Sequence, residues 1–311
     1  MSTLSAELDR YLAIRRSLGY KLSTSERILR TFIVYLNSEK APHVSTALFL
    51  RWQGAYGRAS RDTWAHRLGI VRIFAQWLQS VDPEHEVPPQ GLIPARYLRA
   101  RPHIYADDEV RRIVETAARL TSINGLRPLT LSTLFGLIAV SGLRISEALS
   151  LNVSDVDLET GVLTLRRGKL DKSRLLPVSD STTAHLRAYA VERDRLLGTS
   201  AQAFFVSDQG TRVSDCAARY SFSSVCQSIG LRSAQKFNRH GKGPRIHDLR
   251  HTFAVRTLLN WYRAGVDPAR EMIKLTTYLG HAKPEHTYWY IEAVPELLEL
   301  AAQRVEGTVQ P

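Results

Sequence analysis

The chain has 311 residues, 44% hydrophobic and 23% charged, a balance that excludes a disordered polypeptide and a length that suits two domains better than one core. Lysine and arginine outnumber aspartate and glutamate by 42 to 30, and the resulting net charge of +12 attracts polyanions, with nucleic acid the first candidate. Cys216 and Cys226 are too few for a disulfide framework and wrongly spaced for a paired zinc knuckle, the opening MSTLSAELDR holds no apolar signal core, and no apolar run reaches spanning length. These features predict a cytoplasmic, nucleoid-associated protein with no membrane contact.

From Thr3 to about Leu78 apolar residues recur at helical spacing: Leu4, Leu8, Tyr11 and Leu12, then Ile28, Leu29, Phe32 and Leu36, then Trp64, Leu68, Val71, Phe74 and Leu78. This half is expected to be all helix, with Ser23 and Glu26 forming a capping box at the start of its second helix. Residues 82–102 carry five of the thirteen prolines, a density that blocks helix continuation. A linker is therefore expected over 82–103, between a helical domain at 1–81 and a second domain at 104–311. Residues 1–103 hold 15 basic and 8 acidic side chains, net +7, and the remainder holds 27 and 22, net +5, so both halves could touch one polyanion.

Beyond the linker, Asp107–Leu120 and Leu129–Val140 read as helices. VLTLRRGKLDKSRLLPV at 162–178 alternates around a polar turn and predicts a hairpin with Lys169 and Lys172 at its tip. The chain from Thr182 onward reads mainly as helix with polar loops, without repeats or low-complexity tracts. Between Arg232 and Arg256 there are seven basic side chains against one acid, Asp248, an imbalance that suits a phosphate-facing surface.

Four segments carry chemistry: SGLRISEALSL at 141–151, the basic hairpin, HDLRHTFA at 247–254, and YLGHAKPEHTYWYI at 278–291. In this order they resemble the tyrosine recombinases, also called phage integrases. The ending LTTYLGHAKPEHTYWYIEAVPELLELA is most similar to transposon-borne and rhizobial-type integrases. The resemblance implies a mainly α fold with a small β-sheet, made of an all-helical, SAM-like core-binding domain and an α/β catalytic domain. It makes Arg144 the first catalytic arginine with Glu147 as its supporting acid, Lys169 the hairpin lysine, His247 and Arg250 the His-x-x-Arg pair, His281 the histidine of Leu-Gly-His, and Tyr290 the nucleophile. Tyr288 lies in the same segment but misses the family spacing and ranks second.

The residue types suit that chemistry in their own right. Phosphodiester transfer builds charge on non-bridging oxygens, which Arg144 and Arg250 can meet with paired, charge-assisted hydrogen bonds. A phenol with a pKa near ~10 needs a base or a positive field to attack, and His247 is the candidate base. Lys169 could protonate the departing 5′ oxygen, and His281 could hydrogen-bond the phosphoryl group. A phosphotyrosine ester conserves the energy of the broken backbone bond, so no cofactor is expected. No metal is expected either: Asp155, Asp157 and Glu159 read as solvated turn residues, and His247 with His251 lacks an obvious third ligand.

Lys172, Arg174, Arg239, Lys242 and Arg245 are expected to contact the DNA backbone. The expected partner is double-stranded DNA with specific recombination sites, held in a two-domain clamp, with a homotetramer in the synaptic complex and possible pairing with a second recombinase. The final segment, 295–307, carries Leu297, Leu298, Leu300, Ala301 and Val305, and the resemblance implies that it docks on a neighbouring protomer. Three rival functions keep the fold: a catalytically silent DNA-binding accessory, a Xer-like resolver of replicon dimers, and a topoisomerase-like relaxase.

Overall fold

The structure, a computed structural model, describes residues 3–95, 101–166, 173–233, 243–280 and 285–308. The chain falls into two compact units, Met1–Ala100 and Arg101–Pro311.

In the first unit four helices, α1 (Thr3–Ser17), α2 (Ser23–Ser38), α3 (Thr46–Ala55) and α4 (Arg61–Val81), bury the apolar residues that set their periodicity, among them Leu8, Leu29, Phe32, Phe49, Trp52, Phe74 and Leu78. Ser45 and Ser60 cap α3 and α4 by accepting the backbone N–H of Leu48 and Thr63, each at 3.2 Å. The capping box expected at Ser23 does not form. The chain enters α2 through Leu22 at φ 51° with no side-chain cap, because the Glu26 carboxylate is taken instead by Arg16 and by Arg30 at 2.9 Å.

The proline-rich stretch also departs from a free linker over its first part. The Val44 N–H donates to His85 Nδ1 at 3.0 Å, the Glu86 N–H donates to the Val44 carbonyl at 2.8 Å, and the Glu86 carboxylate accepts the Thr46 N–H at 3.0 Å. Ile93 is buried in the unit's core with Val87 and Leu92 packed on it, so this stretch finishes the helical core.

The second unit is built around α6 (Leu126–Ser141), buried on most of its surface by Leu131, Leu134, Phe135, Leu137 and Ile138. Against it pack α5 (Asp107–Ala117), α8 (Asp180–Leu197) and α10 (Ile246–Arg263), with α7 (Ile145–Ser150) and α9 (Asp215–Ser228) completing the layer. The expected hairpin is present as β2 (Val162–Leu165) and β3 (Arg174–Pro177), the central and one edge strand of a three-stranded antiparallel sheet whose other edge is β1 (Val156–Asp157); Val162 pairs with Pro177 and Leu165 with Arg174. Its tip, with Lys169 and Lys172, lies outside the described residues. Asp155, expected in solvent, is 3% exposed and bonds the Asn152 N–H and Arg166, so it caps the turn before β1.

The chain entering this unit is fastened to α10 at three points. The Tyr105 N–H donates to Thr252 Oγ1 at 2.9 Å, its hydroxyl donates to the Arg245 carbonyl at 3.0 Å, and its carbonyl accepts Arg256 at 2.7 Å. Three further helices, α11 (Pro268–Leu279), α12 (Glu285–Ala293) and α13 (Pro295–Thr308), share a second core with α10: Ala254, Val255 and Leu258 meet Met272, Leu275, Leu279, Tyr290, Val294 and Leu297. The start of α13 is thus seated on its own domain. Leu297 is fully buried and Glu296 pairs with Arg263 at 2.7 Å. Leu297→Ala should cost about 2 to 5 kcal/mol in urea denaturation; a loss under about 0.5 kcal/mol, the range of neutral surface changes, would show that the seat is not occupied in solution.

Candidate active site

The site begins where α6 ends. Gly142 stops that helix at φ 62°, and a Cβ there would lie 2.5 Å from Phe253 Cδ1 and 3.1 Å from Leu279 Cδ2. Only glycine fits both the left-handed backbone and the cramped space. The turn delivers Arg144 to the N-cap of α7, where Glu147 accepts the Arg144 N–H at 3.0 Å through Oε2 and its guanidinium at 2.7 Å through Oε1. Arg144 also donates to the carbonyls of Leu279 and Gly280, at 3.4 and 3.2 Å.

Glu147 is the hub of the cluster. Arg174, from β3, donates to both its oxygens at 2.9 and 3.0 Å and to the Tyr278 carbonyl at 3.2 Å, while an Arg250 nitrogen lies 3.9 Å from Oε2. Burial alone would push the Glu147 carboxyl up, yet the hydrogen bonds from Arg174 and the Arg144 backbone, with both guanidinium charges, hold it down to about 2. Arg174 therefore faces inward, 14% exposed, where the sequence suggested a contact to the DNA backbone.

Arg250 projects from the first turns of α10 and is 1% exposed. It donates to the Gly142 and Leu279 carbonyls, each at 2.7 Å, so one side chain ties α10 to the end of α6 and the end of α11. Burial and the nearby Arg144 charge lower its pKa to about 10, which leaves it cationic at neutral pH. His247, a turn earlier on α10 and half-buried, is pushed down to about 4 by burial and then by Arg250, so its imidazole is neutral at pH 7.

Tyr290 is 1% exposed within the core shared by α10 to α13, and its hydroxyl lies 3.2 Å from His251 Nδ1. The sequence suggested His247 as its base; the histidine in hydrogen-bond contact is His251, one turn further along α10 and edge-on to His247 at 4.6 Å. Its i, i+4 relation to His247 was visible in HDLRHTFA but read only as a possible metal pair. Tyr288 is 46% exposed. Arg245, at the N-cap of α10, bonds Asp248 at 2.8 Å through its N–H and keeps a side chain 48% exposed. Lys169, Lys172, Arg239, Lys242 and His281 lie outside the described residues. Among the described residues no three His, Cys, Asp or Glu side chains gather as a metal-binding cluster, and no helix is long and apolar enough to cross a membrane.

The phage integrase family pattern matches residues 104–296. The chain belongs to the phage integrase family of tyrosine recombinases. It is 41% identical to the integrase/recombinase y4rB of Sinorhizobium fredii over 98% of each chain, and 26% identical to the tyrosine recombinase XerD of Staphylococcus epidermidis over 93% of this chain and 94% of that one. The Tn1549 transposon integrase, solved in complex with transposon right end DNA, shares the fold, with a TM-score of 0.66 at 13% identity over 99% of this chain and all of that one. Members of this family break and rejoin DNA, and this tyrosine recombinase is an enzyme of that type.

The neutral His247 has a thermodynamic signature. Its folded pKa lies below the unfolded value of 6.5, so on acidification from 6.5 to about 4 the unfolded chain takes up a proton that the fold excludes. Stability should therefore rise with pH across that window, by up to about 3 kcal/mol. His247→Gln should make the rise between pH 4.5 and 7 in urea titrations smaller, and an unchanged slope would contradict a buried neutral imidazole.

Proposed function

We propose that the chain is a site-specific recombinase of a mobile element that cleaves DNA through Tyr290, forming a 3′-phosphotyrosine, and reseals it for integration, excision or transposition. The observation that carries this reading is the meeting of Arg144, Glu147, Arg250 and the His251–Tyr290 pair around the ends of α6 and α11. In this reading Arg144 and Arg250 neutralise the non-bridging oxygens, Glu147 positions them, His247 hydrogen-bonds the phosphate, and the phenolic proton passes to a neutral imidazole on α10. Removing one such donor typically costs ~2.7 to 4 kcal/mol of transition-state stabilisation. Lys169 serves as general acid to the 5′ oxygen and His281 as a further phosphoryl donor, roles that rest on sequence alone. No metal or nucleotide cofactor takes part.

Tyr290 is 1% exposed, so α12, which carries it, must shift for the scissile phosphate to reach its hydroxyl. The expected partner is duplex DNA bearing a recombination site, touched by both basic units, with Arg245 and, from sequence, Lys172, Arg239 and Lys242 on the backbone and a homotetramer at synapsis. Such a protein works in the cytoplasm, on the nucleoid. The name of the relative y4rB favours an integrase and that of the Tn1549 transposon integrase a mobile element, while the likeness to XerD supports replicon-dimer resolution as the second reading.

Wild-type protein and Tyr290→Phe, incubated in EDTA with fragmented host and element DNA and then denatured, should leave covalent adducts with wild type only, and sequencing them identifies the site. Adducts that survive the substitution would move the nucleophile to Tyr288, and none with either protein would favour a silent accessory. Element ends among the recovered sites support integration or transposition, a single chromosomal site supports dimer resolution, and relaxed plasmids without exchanged junctions support a relaxase. Affinity for the recovered site should fall with salt at a log–log slope near ~0.9 per neutralised phosphate, and a flat response would contradict backbone binding by the two basic units.

A further inference from the structure

We propose that His251, rather than His247, receives the proton of the Tyr290 hydroxyl during DNA cleavage and returns it during rejoining. The proposal rests on the reading of Tyr290 as nucleophile.

The geometry separates the two histidines. His251 Nδ1 lies 3.2 Å from Tyr290 Oη, within reach of one proton transfer, whereas His247 meets His251 ring to ring with centroids 4.6 Å apart. His251 is 5% exposed and lies edge-on to Tyr290, with ring centroids 5.4 Å apart, and against Trp289 at the same separation. It is the residue after Arg250 on α10, so the helix that presents an arginine to the phosphate also presents an imidazole to the attacking oxygen. The α10 backbone there is fixed from outside by Tyr105, whose N–H bonds Thr252, the next residue.

In the step itself, a lone pair of Tyr290 Oη forms the new O–P bond as the phenolic proton moves to Nδ1. The P–O5′ bond breaks, and its electron pair leaves on the 5′ oxygen, which takes a proton from the general acid assigned to Lys169. His251 is then an imidazolium, and in rejoining it hands the proton back as the tyrosine oxygen departs. The charged groups around this exchange are Arg250 on α10, coupled electrostatically to Tyr290, together with Arg144 and Glu147 on α7 and Arg174 on β3. The Arg250 charge favours a phenolate. His247, on the same helix, also meets the His251 ring.

Two measurements test the assignment. Long-range proton–nitrogen NMR of histidine-labelled full-length protein reads the tautomer directly. His251 Nδ1 should give the resonance of an unprotonated nitrogen near neutral pH, and that resonance should move when Tyr290→Phe removes the hydroxyl. A protonated Nδ1, which would make the tyrosine oxygen the acceptor, overturns the proposal. The second follows the rate of adduct formation on the duplex recovered by sequencing. His251→Gln should slow it by about 10² or more and make it climb towards wild type as pH rises, because hydroxide then supplies the phenolate; His251→Asn, a second variant guarding against misfolding, should behave alike. A loss that stays constant with pH, or the same pH-dependent rescue in His247→Gln but not in His251→Gln, overturns it. If wild type forms no adduct, the underlying reading fails instead; if adducts persist in Tyr290→Phe, the nucleophile has been misplaced while the tautomer still decides the contact.

Discussion

The Glu147 carboxylate is the interaction on which the rest of the site depends. A buried arginine without a counter-charge would be expensive to desolvate, and this domain buries Arg250 fully and Arg174 almost fully within reach of one acid, with Arg144 beside them. Glu147 compensates the three unequally: it binds Arg174 with both oxygens, Arg144 with one side-chain bond and one backbone bond, and stands 3.9 Å from Arg250. The arginine that binds it most completely is the one that does not face substrate in the proposed mechanism. Arg174 thus acts as the fixed counter-ion, which leaves Arg144 and Arg250 as positive charges held by backbone carbonyls.

Those carbonyls explain how residues more than a hundred positions apart form one site. Arg250 reaches Gly142 and Leu279, and Arg144 reaches Leu279 and Gly280, so the end of α6, the start of α10 and the end of α11 are joined by four hydrogen bonds to three peptide groups. The apolar core of α10 to α13 then fixes Tyr290 against α10. In the same arrangement Tyr290 is covered, so the geometry that assembles the positive cluster also holds its proposed nucleophile away from solvent.

Much of this was legible in sequence. The helices of the first unit follow from the spacing of Leu8, Leu29, Phe32, Trp64 and Phe74, and the hairpin follows from alternation around a polar turn. The chemistry-bearing motifs could be ordered because SGLR, HDLRH and YLGH each couple a backbone requirement to a side chain, as Gly142 shows. What the sequence concealed was the partner of each polar group. Glu26 could have capped α2 as readily as it pairs with Arg16 and Arg30, and α3 is too short and too weakly patterned around Leu48, Phe49 and Trp52 to stand out. Arg174, in a run of basic hairpin residues, looked like a phosphate contact because nothing local reveals Glu147, 27 residues away. His251 was hidden by the same limit, since periodicity places it on one face of α10 with His247 but only the packing of α12 decides which ring meets Tyr290.

The most direct measurement of this view is the stability of Glu147→Gln alone and combined with Arg174→Gln. Removing the acid leaves buried guanidiniums uncompensated, so the single substitution should cost about 3 to 5 kcal/mol in urea denaturation, and the double substitution should cost well under the sum of the two singles. A loss under about 0.5 kcal/mol for Glu147→Gln, or strict additivity with Arg174→Gln, would contradict a site organised around that carboxylate.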